Sequence, residues 1–160
     1  MSPERFTELI RAEQESLRRF LLTLCSGNGP EADDIAQEAL VRAYVASGSF
    51  LGLSKFSTWL FRIAYNCYLD RRRRTVPETL PADTPQALDL PAPEQTDQAF
   101  RYQRLYQAMD RLSEKEKAVI ALHYFEDRSV KEIARILQMP SGTVKYHLST
   151  GRNHLKTLLQ

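Results

Sequence analysis

Arg128 to Gln160 reads RSVKEIARILQMPSGTVKYHLSTGRNHLKTLLQ. Val130, Ile133, Ala134 and Leu137 fall at i, i+3, i+4 and i+7, the buried face of a short helix. Pro140 and Gly142 then interrupt any continuous helix. A second stripe follows at helical spacing, through Val144, Leu148, Gly151, Leu155 and Leu158. Its outer face carries Thr143, Lys145, Tyr146, Ser149, Arg152 and Lys156, and no Asp or Glu occurs after Glu132. Two helices, a tight turn and an acid-free second helix describe a helix-turn-helix whose second helix enters a DNA major groove. The bland alternative is a helical hairpin with a solvated basic face.

Elsewhere, composition excludes more than it identifies. Hydrophobic content of 42% and charged content of 26% are those of a water-soluble globular chain. No run of about 18 apolar residues provides a membrane span, and MSPERFTELIRAEQ is charged where a secretory signal needs an apolar core. A cytoplasmic protein is expected. Cys25 and Cys67 lack metal-ligand or redox spacing and read as reduced, buried thiols. The net charge of +2 hides a division. Residues 1–75 hold 11 Lys+Arg against 9 Asp+Glu, residues 76–97 none against 5, and residues 98–160 11 against 6. Two basic segments flank an acidic one.

Ser2-Pro3 starts a helix that keeps apolar spacing from Phe6 to Leu24, with a polar gap at Glu13–Ser16, and stops at Gly27. Pro30 opens a second helix, about 30–47, with Ala32, Ile35, Ala36, Ala39, Leu40 and Ala43 inward and Asp33, Asp34, Gln37, Glu38 and Arg42 outward. A glycine-containing loop, 47–56, leads to a third helix capped at Ser57 or Thr58. Six of the chain's 15 aromatics (Phe50, Phe56, Trp59, Phe61, Tyr65 and Tyr68) lie within 19 residues there, followed by Arg71, Arg72, Arg73 and Arg74. A core accounts for three or four of those rings. Rings interleaved with cations also suit single-stranded nucleic acid, where each stacked base is worth roughly 1–3 kcal/mol.

Residues 76–97 hold five of the eight prolines and no basic residue, an extended acidic linker. Beyond it, helices are expected at about 98–112, 114–126 (opened by the capping box Ser113-Glu114-Lys115-Glu116), 129–138 and 141–159. The fold class is therefore all-α: two small helical domains, 1–75 and 98–160, joined by a proline-rich acidic linker, the second with the helix-turn-helix.

Three segments in order, Asp33-Asp34-Ile35-Ala36-Gln37-Glu38, Phe56 to Asn66 (FSTWLFRIAYN) and Gly142-Thr143-Val144-Lys145, make the chain resemble the extracytoplasmic-function (group IV) sigma factors. The resemblance covers nearly everything outside the linker. It implies a non-enzymatic protein, with no cofactor, metal or small-molecule substrate, whose partners are core RNA polymerase (clamp helices and flap), promoter DNA as duplex and melted strand, and an anti-sigma factor. It places core binding on Asp33, Asp34, Gln37, Glu38 and Arg42. It assigns −10 recognition and melting to Phe50, Phe56, Trp59, Arg62, Tyr65 and Asn66, with Arg71, Arg72, Arg73 and Arg74 on phosphates. Ser141, Gly142, Thr143, Lys145, Tyr146, Ser149 and Arg152 match the −35 major-groove face, with Arg128, Ser129 and Lys131 near phosphates. Gln138 stands where the family usually has glycine, so a different turn backbone is expected. Gly151 costs roughly 1 kcal/mol mid-helix relative to alanine.

Two rival classes remain. The three histidines have no paired carboxylate or HExxH spacing, and no nucleophile elbow, P-loop or dinucleotide fingerprint appears. Asp70 beside the arginines reads as a helix-end ion pair rather than a catalytic acid. A stand-alone helix-turn-helix regulator would bind palindromes as a dimer, but gives no purpose to the aromatic-arginine helix or the acidic linker.

Overall fold

The computed structural model describes residues 1–75 and 97–160, so the stretch expected as a linker lies, Asp97 apart, outside the described residues. Helix α1 (Pro3–Leu24) opens on Ser2, whose hydroxyl accepts the Arg5 amide at 3.1 Å. It ends where Ser26 and Gly27 take φ of 55° and 83°. Helix α2 (Gly29–Val45) is capped by Asn28, which accepts the Glu31 amide at 3.1 Å. A 3-10 turn at Ser47–Ser49 precedes α3 (Phe56–Thr75).

The alanines of α2 explain how these three pack. Ala32, Ala39 and Ala43 are fully buried with Ile35, and their small side chains bring α2 close against α3. From the other side Leu17, Phe20 and Leu21 of α1 meet Leu60, Phe61 and Ala64 of α3, with Phe20 and Phe61 stacked at 5.5 Å between centroids. Burying each such Leu or Phe contributes about 1.5–3 kcal/mol.

The second half contains α4 (Asp97–Met109), α5 (Glu114–Ile120), α6 (Val130–Leu137) and α7 (Ser141–Leu159). Both α5 and α6 begin with reciprocal capping boxes, Ser113 with Glu116 and Ser129 with Glu132. The single helix expected over 114–126 is interrupted: Ala121–Phe125 form a π-helical turn, in which the Glu126 amide donates to the Ala121 carbonyl at 3.1 Å. Met109, Val119, Ile120, Leu122, Ile133, Ile136, Val144 and Leu148 fill this half's core. Among the described residues there are seven α-helices and no strand.

The halves touch. Helix α6 packs across α3, and α1 lies against α5 and the π turn. Glu13 and Ser16, the polar gap of α1, are part of that contact: each bonds a residue of the other half.

Candidate nucleic-acid interface

The helix-turn-helix is α6, a three-residue turn (Gln138 to Pro140) and α7. Gln138 closes α6 in the left-handed conformation (φ 54°, ψ 51°), and the Met139 amide donates back to Ala134 at 3.1 Å. This is the glycine-type helix ending made by a glutamine, so the backbone keeps the conformation that a glycine would favour, contrary to the sequence expectation. Pro140 then starts α7, and Val144 donates to its carbonyl at 3.1 Å. Ser141, Gly142, Lys145, Tyr146, Ser149 and Arg152 all project from the exposed side of α7, and Thr143 is half-buried at its edge. Arg152 donates to the Tyr124 hydroxyl at 3.1 Å, which brings Tyr124 beside this face.

What seats α7 is Gly151. It is buried, and a Cβ there would lie 2.9 Å from Ile120 Cγ1. Its helix-propensity cost therefore has a packing reason. One turn before Ile120 on α5, burial pushes the Glu116 carboxyl up, but hydrogen bonds from Thr150, Ser113 and His154 outweigh it and hold the group below the usual carboxylate range.

The aromatic cluster divides in two. Phe61 and Tyr68 are core side chains; Tyr65 at 7% and Phe56 at 9% exposure join them, so neither offers a face for base stacking in this arrangement. Phe50 and Trp59 are half-buried, 5.2 Å apart, both backed by Phe56. Trp59 and Arg62 line a groove of about 240 Å³ together with Leu53, Ser54, Thr58 and, from α6, Arg135. Asn66 is half-buried one turn beyond Arg62. Leu53, Ser54 and Arg135 have no sequence signal beyond their loop or charged character.

Charges at the far end of α3 are shared with α2. Arg71 pairs with Asp34 at 3.4 Å, and Arg74 with Glu38 at 3.4 Å. Arg73 approaches Asp70 at 4.0 Å, and Arg42 bridges Glu38 (2.7 Å) and Asp70 (3.0 Å). Asp70 is thus part of an ion-pair network. Arg72 pairs with Glu114 of α5 and lies over the Tyr68 ring, and Asp33 pairs with Arg18 at 2.9 Å. Gln37 is exposed among them. Val41, Tyr44 and Val45 extend this side of α2 as exposed apolar residues, at 64%, 55% and 79%. The sequence signal was available, since none of the three lies on the alanine stripe.

Arg128 is not directed to solvent. Its guanidinium donates to Ser57 Oγ (2.8 Å) and Glu13 (3.2 Å) and lies over the Phe61 ring at 4.8 Å. With its side chain 13% exposed, it reaches no phosphate in this arrangement, whereas Ser129 caps α6 and Lys131 is exposed.

Comparison with known proteins accounts for this assembly. The sigma-70 region 2 family model matches residues 9–76, and the sigma-70 region 4 model matches residues 102–155. The chain is 38% identical over 146 residues to the ECF RNA polymerase sigma factor SigW of Bacillus subtilis, covering 84% of this chain and 78% of that protein. It is 32% identical over 155 residues to SigM of Mycobacterium tuberculosis, covering 96% and 76%. The sigma factor RpoE of Bartonella quintana, solved in complex with the anti-sigma factor NepR, superposes with a TM-score of 0.83 at 26% identity, over 98% of this chain and 97% of that one. CnrH, solved with the cytosolic domain of CnrY, shares the fold (TM-score 0.75, 21% identity, 99% and 89% covered). With both sigma-70 regions in order, and relatives matched over most of their length, the chain belongs to the extracytoplasmic-function (ECF) RNA polymerase sigma factors, which direct the polymerase to promoters.

Proposed function

We propose that the two halves divide promoter recognition between them. In this reading α7 enters the −35 major groove through Ser141, Gly142, Thr143, Lys145, Tyr146, Ser149 and Arg152. The Phe50–Trp59 pair with Arg62 and Asn66 receives the melted −10 strand, with Arg73 and Arg74 near its phosphates. The outer side of α2 (Asp34, Gln37, Glu38 and the apolar Val41, Tyr44 and Val45) docks on the polymerase clamp helices, and the second half on the flap. Boundaries at 1–75 and 98–160 follow the same division. Its strongest support is the outer face of α7: polar, basic, free of acidic side chains, and held at a fixed angle by the Gln138 turn and the Gly151 contact. An anti-sigma factor is the proposed regulator, as for the 26%-identical RpoE bound to NepR. A region 2 match over 9–76 stands where a lone regulator would carry its sensing or dimerisation domain.

Run-off transcription with core polymerase on promoters randomised in the upstream element tests the assignment. Tyr146→Ala and Ser149→Ala should relax base preference at −35, while Lys145→Ala should lower initiation evenly across sequences. An unchanged −35 preference in both the Tyr146 and the Ser149 variants would remove α7 from the readout.

A further inference from the structure

The outer side of α7 has a neighbour from another element. Ala121–Phe125 form the π-helical turn that follows α5, closed by the Glu126 amide on the Ala121 carbonyl at 3.1 Å. Each residue of an α-helix advances about 100°, so the one extra residue in this turn swings the side chains at its end round the axis by about that much. Ala121 and Leu122 stay in the core, and Tyr124 comes out, 48% exposed. Its hydroxyl accepts Arg152 Nη1–H at 3.1 Å. The ring is fixed from behind. His123 stands edge-on to it at 4.9 Å between centroids, and His123 Nδ1 lies 3.0 Å from the Arg128 carbonyl. A carbonyl only accepts, so that nitrogen carries the hydrogen.

Arg152 lies eleven residues beyond Ser141, about 16 Å along α7 at about 1.5 Å per residue. A recognition helix reads bases with its N-terminal residues, in a groove about 12 Å wide and about 8.5 Å deep. With Ser141 to Ser149 seated there, Arg152 is carried to the rim of the groove, where its neighbours are sugar and phosphate. Among the described residues no carboxylate pairs with Arg152, so its charge is left for a ligand. A phenol oxygen that accepts from Arg152 keeps its own O–H to donate, and the guanidinium keeps further N–H groups. We infer that Tyr124 and Arg152 form a clamp for one DNA phosphate at the edge of the upstream element: Tyr124 orients the guanidinium and donates its own hydroxyl to the same phosphate. Arg152 then holds α7 in register on the duplex and reads no base. The inference deepens the −35 assignment proposed above and rests on it.

The test uses holoenzyme reconstituted from the full chain and core polymerase. Its affinity for promoter fragments is measured over a salt series, and with single methylphosphonates, each removing one phosphate charge, placed in turn along the upstream element. Tyr124→Phe keeps the ring and its His123 contact and removes only the hydroxyl. It should lower promoter affinity at least threefold, evenly across −35 sequences, with Tm unchanged. Arg152→Ala should lower affinity further and flatten the slope of log affinity against log salt by about 1. At one methylphosphonate position, and not at the others, both variants should lose less affinity than the parent does. Parent-level affinity in Tyr124→Phe, an altered −35 base preference in that variant, or the same methylphosphonate profile in parent and variants would each overturn the clamp. The last of these, with a lowered Tm, would make Tyr124 a structural residue only. Unchanged −35 preference in Tyr146→Ala and Ser149→Ala would instead sink the α7 assignment, and is read separately by transcription on the randomised promoters.

Discussion

Replacing Gly151 by alanine separates two opposed effects that the structure lets one weigh. Alanine is favoured over glycine inside a helix by about 1 kcal/mol, and on propensity alone Gly151→Ala should stabilise α7. The added Cβ would, however, lie 2.9 Å from Ile120 Cγ1 and 3.2 Å from its Cδ1, with Glu116 Cβ behind at 3.6 Å. Ile120 is 2% exposed and β-branched, so it has little rotamer freedom with which to retreat. Overpacking of this kind costs about 1–3 kcal/mol. The net expectation is a loss of up to about 2 kcal/mol. For a domain the size of the second half, each kilocalorie lowers Tm by roughly 4–8 °C. Thermal and urea unfolding of the parent and variant measure it, and Ile120→Ala supplies the second arm of a double-mutant cycle. The clash predicts that Gly151→Ala costs less once Ile120 is shortened. A Tm that rises on Gly151→Ala in the parent background would refute the reasoning, because propensity would then have beaten contact.

Gln138→Gly should stabilise the chain by up to about 1 kcal/mol, since glycine adopts the φ of 54° without the side-chain penalty; an unchanged urea midpoint would mean that glutamine carries no such strain. Burial pushes the thiol of Cys25 up to about 12 and that of Cys67 to about 11. Both should resist iodoacetamide in the folded protein at pH 8 and react on unfolding. The sign follows from linkage: a raised thiol pKa gives stability that is present below about 8.5, where unfolded thiols begin to ionise, and is lost as pH rises through 11 to 12. Cys25→Ala should flatten that alkaline decline, which urea titrations at pH 8 and pH 10 would show. Asp34→Arg with Glu38→Arg breaks the α2 pairs to Arg71, Arg74 and Arg42 and reverses the proposed docking charge; weaker co-purification with core polymerase is expected, and undiminished capture would count against α2 as the docking side.

The local features were readable from sequence because they repeat at helical period or carry caps. The stripe Val144, Leu148, Gly151, the Ser113 box and the alanine face of α2 all appear where spacing places them. The departures come from contacts between distant residues. Nothing in a 3.6-residue pattern marks the π turn at Ala121–Phe125, which precedes Glu126 and its partners on α1. Gly151 read as a cost because Ile120, its reason, lies 31 positions away. Arg128 read as a phosphate contact because a cation beside a helix-turn-helix has that meaning locally, while Glu13 and Ser57 are more than 70 positions removed. The aromatic cluster was divisible only by burial: composition counted six rings, and the fold leaves Phe50 and Trp59 part-exposed while sinking the other four.

Promoter opening by Trp59 tests the central claim most directly. Trp59 is half-buried beside Phe50 and Arg62, so Trp59→Ala removes a stacking face with less damage to the core than Tyr65→Ala, whose ring is 7% exposed. Permanganate reactivity of −10 thymines, measured in complexes with matched occupancy of core polymerase, reads melting separately from assembly. The account predicts that Trp59→Ala lowers thymine reactivity roughly fivefold or more, as loss of about 1–3 kcal/mol of stacking implies, with core binding unchanged. Parent-level reactivity in the variant would contradict it.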